Sequence, residues 1–102
     1  MKQIALVNKI KMDNKKLIIF YKSYVLTHIH KRLVELNNIK SIDEVDEILK
    51  YHAGFNTQSS CKEMTKEDLQ ELIAWSFQFG DELGLKLNYK DNEWQKIYDN
   101  EV

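Results

Sequence analysis

Lys22, His28, Lys31 and Arg32 place cations along one stretch of this chain, with Tyr24 among them. Cationic side chains track phosphates, and an aromatic ring can stack on an unpaired base. The set therefore points to single-stranded nucleic acid. Lys9, Lys11, Lys15 and Lys16 extend the positive charge toward the N-terminus. A second group is acidic. Asp43, Glu44, Asp46 and Glu47 precede Lys50, and Glu63, Glu67, Asp68 and Glu71 repeat the pattern. Carboxylates three apart on a helix can approach one cation, but near a helix N-terminus they are also stabilised as a solvated face. His28 and His30 stand two apart, which on a helix turns them about 200° from each other. On a helix they cannot hold one metal together, whereas on a strand they would share a face; the helix is favoured, so neither a metal nor a cofactor is expected. His52 falls near a helix C-terminus, where a charged ring needs no further role.

Cys61 is the single cysteine, so an intrachain disulfide and a cysteine-based zinc cage are both excluded. With three glycines no phosphate-cradling loop is available, and no nucleophile-elbow or zinc-protease motif occurs. The expectation is a binding protein and not an enzyme.

The elements that must position these groups are mostly helical. The 102 residues suit one domain, residues 1–102, and 43% hydrophobic with 30% charged residues is an ordinary globular balance. The absence of proline favours helices with short connections. No apolar run approaches the ~18 residues of a membrane span, and the N-terminus lacks the apolar core of a signal peptide. The expected place is the cytoplasm.

The clearest element is residues 64–83. Thr65 is a good N-cap, with Glu67 and Asp68 in the first turn. Leu69, Leu72, Ile73, Ser76, Phe79, Gly80 and Leu83 share one side, flanked by Trp75 and Phe77, while Gln70, Glu71, Ala74, Gln78 and Asp81 face away. Gly84 stops it. Before it, residues 3–10 alternate as a strand, Asp13-Asn14-Lys15 reads as a turn, and residues 16–21 are β-branched and aromatic enough for a second strand. A helix is predicted over residues 23–36, ended by Asn37-Asn38. Another is predicted over residues 42–52, with Ile42, Val45, Ile48 and Leu49 inward, opened by the capping box Ser41…Glu44 and closed at Gly54. Residues 85–89 alternate, as a short strand or an extended run would, and Asp91 is the expected cap of a short last helix carrying Trp94, Ile97 and Tyr98. The fold class expected is α+β, an N-terminal β-hairpin packed on three to four helices, helix-dominated.

Net charge is −1, but residues 1–40 hold nine basic and two acidic residues, while residues 41–102 hold six and fourteen. The halves therefore carry +7 and −8. Such a split closes on itself or offers two unlike surfaces to partners.

Ser60-Cys61-Lys62-Glu63-Met64-Thr65-Lys66-Glu67-Asp68-Leu69-Gln70-Glu71-Leu72-Ile73-Ala74-Trp75, closing with Glu82-Leu83-Gly84-Leu85-Lys86-Leu87, resembles the C-terminal part of small phage recombination and replication proteins, the NinB-like group. The resemblance covers the last half of the chain and its motif is structural. It implies a phage or mobile-element setting, and with it the cytoplasm of a host cell. The group's R-S-x-x-Q-N segment is replaced here by Tyr21-Lys22-Ser23-Tyr24, so the resemblance assigns no site residue.

The leading expectation is an accessory protein of phage DNA recombination or replication. It would bind single-stranded DNA through Lys22, Tyr24, His28, Lys31 and Arg32. The rival is a phage-encoded inhibitor of a host protein, of the anti-defence or anti-CRISPR type. Its contacts would be Glu67, Asp68 and Glu71, or Trp94 and Tyr98. A homo-oligomer joined through the unlike halves is a third possibility.

Overall fold

The computed structural model describes residues 13–38 and 40–87. Among these residues the fold is all-helical, without a strand. Helix α1 is Asn14–Phe20 and α2 is Leu26–Glu35, joined without a break by a π-helical turn, Tyr21–Val25. Helix α3 is Ile42–His52 and α4 is Lys66–Glu82, with a 3₁₀ turn, Cys61–Glu63, between them. Three rods result: α1-π-α2, α3 and α4. The first rod packs on α4 through α1 and the π turn, and on α3 through α2; α3 and α4 also pack on each other.

The structure overturns the predicted hairpin. Residues 16–21, read as its second strand, lie in α1 and the first residue of the π turn. The first predicted strand, residues 3–10, lies outside the described residues. Asp13 is not a turn residue but the N-cap of α1, its carboxylate accepting from Lys16 N at 2.8 Å. Asp serves both ends equally well in sequence. Leu17, Phe20, Tyr21, Tyr24 and Val25 carry the helical spacing that outweighs the β propensity of the Ile18-Ile19-Phe20 run, and all five are buried. Residues 85–87, expected as a short strand or an extended run, are in neither a strand nor a helix, and the predicted helix after Asp91 is outside the described residues.

The π turn has a cause in the sequence. Leu17, Phe20, Tyr21 and Tyr24 mark one apolar side, whereas Leu26, Ile29 and Leu33 mark a side displaced well round an unbroken α-helix. One extra residue rotates the rest of the rod by about 100°. The turn supplies it, with Leu26 N donating to Tyr21 O and Thr27 Oγ1 donating to Lys22 O at 3.2 Å. Both apolar sides then reach the core, where all seven residues are buried.

Each rod ends in the same way. At the end of α2, Asn37 takes φ 63° and Asn38 N donates to Leu33 O at 2.8 Å. After α3, Gly54 has φ 86° and Phe55 N reaches Lys50 O at 2.8 Å. After α4, Gly84 has φ 80° and Leu85 N reaches Gly80 O at 2.8 Å. These are Schellman closures. Gly54→Ala is expected to cost about 1–2 kcal/mol, the penalty of a left-handed non-glycine residue. No atom lies within 4 Å of an added Cβ there, so the backbone alone is responsible. Urea unfolding of the two proteins measures it, and equal midpoints would contradict it.

The capping boxes are as predicted at Ser41–Glu44 and are completed at Thr65 by Asp68. Helix α4 buries a wider arc than one face. Ala74, predicted to point away, is buried with Phe77, while Phe79 and Leu83 are half-buried. The reason is position: α4 packs against both other rods.

Candidate functional site

The predicted nucleic-acid residues do not share one surface. Tyr24 is 3% exposed. Its ring stacks on Phe20 at 5.4 Å and meets His28 at 4.6 Å, so it cannot receive a base. His28 Nδ1–H donates to Tyr24 O at 2.7 Å, one helical turn back. Arg32 Nε–H donates to Leu83 O at 2.9 Å, closing the carbonyl end of α4. Lys22 and Lys31 are exposed and have no carboxylate within ion-pair distance among the described residues. Lys22 points toward the start of α3, where Asp43 and Asp46 lie, whereas Arg32 points toward the end of α4. His30 Nε2–H donates to Lys40 O at 2.8 Å, so the two histidines serve different backbone carbonyls. Of the rival's residues, Glu67 and Glu71 are exposed on α4, Asp68 accepts from Thr65 N at 3.3 Å, and Trp94 and Tyr98 lie outside the described residues.

The acidic run of α3 is not one solvated face. Asp46 turns inward, and Lys50, one turn later, is 4% exposed. The Tyr21 hydroxyl donates to Asp46 Oδ1 at 2.6 Å, while Lys50 Nζ donates to Asp46 Oδ2 at 2.7 Å and to Ser59 O at 2.5 Å. The carboxylate thus joins the π turn to α3, and the ammonium joins α3 to the loop after it. Burial, then the carboxylate beside it, pushes the Tyr21 phenol far above its ordinary range. Beside this network lies a cleft of about 270 Å³ lined by Lys22, Asp43, Asp46, Lys50, Ser60 and Cys61. The Cys61 thiol is buried, which raises its pKa; the Lys50 ammonium opposes that rise. A thiol so placed is a poor nucleophile. The i, i+4 spacing of Asp46 and Lys50 was a sequence signal for this pair. Nothing in the sequence linked Tyr21 to it.

On its outer side α3 carries Glu44, Glu47, Ile48 and Tyr51 beside a groove of about 310 Å³ that Lys40, His52 and Thr57 also line. Tyr51 is 70% exposed. Sequence reasoning did not single out this residue. Among the described residues no group of three or more His, Cys, Asp or Glu could hold a metal ion, and no helix is long and apolar enough to cross a membrane.

Comparison with family models, with curated proteins and with solved structures finds no match to this chain.

Proposed function

We propose that this chain is a non-catalytic accessory protein of phage-type DNA recombination or replication that holds single-stranded DNA by its phosphates. The observation that carries the reading is that charge segregates by helix. The α1-π-α2 rod bears Lys15, Lys16, Lys22, Lys31 and Arg32 against Glu35 alone. Helices α3 and α4 bear Lys50 and Lys66 against nine carboxylates. An extended cationic rod suits a polyanion, and steering by such a field speeds encounter. Since Tyr24 is buried, stacking contributes nothing from that residue, and the contact is electrostatic and indifferent to base sequence.

Anisotropy of a labelled single-stranded oligonucleotide tests it. Affinity is expected to fall with salt, with a log–log slope of about −0.7 per phosphate contacted. Lys22→Glu with Lys31→Glu is expected to remove binding. Arg32 is left unchanged because it closes α4. Binding that ignores both salt and the double substitution rules the proposal out.

A further inference from the structure

The outer face of α3 combines features that a solvated helix does not need. Tyr51 stands one turn after Glu47 and about two turns after Glu44, with Ile48 beside it and a groove alongside. An exposed aromatic next to a half-buried aliphatic is the composition of an interface anchor, and Glu44 and Glu47 line the groove together with Lys40 and His52. The complementary chemistry is present in the same chain. The first rod is cationic, and Lys22 and Lys31 find no carboxylate within ion-pair distance among the described residues. The ion pair made by α3, Lys50 with Asp46, lies within that helix and does not neutralise the rod. Among the described residues Glu47 accepts one long hydrogen bond, from Gln58 Nε2 at 3.4 Å.

We propose that the Tyr51 face of α3 is the docking site for the cationic rod of a second copy of this chain. The contact is heterologous: each copy gives its rod to one neighbour and its α3 face to another. A contact of this kind does not close at two copies, so it builds open chains whose length grows with concentration. Charge attraction between exposed groups is screened by salt, so the chains dissociate as ionic strength rises.

Sedimentation equilibrium of the full chain tests this. At low salt the weight-average mass is expected to rise with concentration past two chain masses, and at high salt to fall to one. Glu47→Lys with Tyr51→Ala removes the α3 face and keeps the rod. Lys22→Glu with Lys31→Glu removes the rod and keeps the α3 face. Each double variant is expected to be a monomer. Mixed together they are expected to form a one-to-one pair that stops at two chains, which also shows that both are folded. Oligonucleotide binding by the α3 double variant persists, because its rod is intact and no longer occupied by a neighbour, so this proposal and the DNA reading fail separately. A wild-type monomer at low salt overturns the proposal. So does a mixture that stays monomeric, or a wild-type monomer that captures a different, basic protein through Tyr51.

Discussion

Asp46→Ala is expected to lower the free energy of unfolding by about 3 kcal/mol, the low end of the range for orphaning a buried charge. The low end applies because Asp46 keeps 23% of its side chain exposed, against 6% for Lys50. The substitution strips two donors of their acceptor at once. Among the described residues Lys50 Nζ keeps only Ser59 O, and the Tyr21 hydroxyl loses the carboxylate at 2.6 Å. Both residues are buried, so water replaces the lost acceptor only by way of the cleft beside them. The companion variant Asp46→Leu with Lys50→Met removes both charges and is expected to cost less than Asp46→Ala alone. Apolar replacement of a whole buried pair is often tolerated, whereas removal of half is not. Urea unfolding followed by circular dichroism gives both values. A loss below about 1 kcal/mol for Asp46→Ala, the worth of an exposed pair, would show that the network contributes little.

Tyr21→Phe is expected to cost about 1.5–3 kcal/mol at neutral pH, the range for a hydrogen bond to a charged group. Its pH dependence is the sharper signature. Burial and Asp46 raise the folded phenol's pKa above its ordinary value of 10.0. The unfolded chain therefore releases this proton from about pH 10 while the folded chain retains it. The stabilisation is complete below about pH 10 and is lost as pH rises beyond it. Cys61, also raised by burial, acts with the same sign from about pH 8.5–9. Wild type and Tyr21→Phe share the thiol and every other tyrosine, so their difference isolates Tyr21. The gap between their unfolding free energies should narrow above about pH 10. A gap that stays constant into alkali would mean that Tyr21 titrates normally.

The two proposals ask different things of one charge pattern. The DNA reading uses the rod of a single copy, whereas self-association uses that rod against the α3 face of another. Both rest on Lys22 and Lys31 remaining exposed, and neither uses Tyr24 or Arg32, which the fold has taken for itself. Tyr24 illustrates why a site is hard to read from residue types. In sequence it is an aromatic among cations. In space it is one of seven apolar positions that a π turn brings to the core. No linear pattern distinguishes those two fates, because the turn changes the helical phase in the middle of the segment.

Local chemistry was legible in the chain alone. Ser41 with Glu44, Thr65, Gly54, Gly84 and Asn37-Asn38 mark helix ends because capping and left-handed closure involve only residues a few positions apart. The segregation of basic from acidic residues was likewise plain in the order of the chain. Packing settled the rest. Residues 16–21 became helix because Leu17, Phe20 and Tyr21 bury against α4, and burial of a shared side outweighs a β propensity spanning only ~1 kcal/mol. Asp46 and Lys50 left the solvated face because Tyr21, 25 residues away from Asp46, supplies a donor that exists only once the rods have packed.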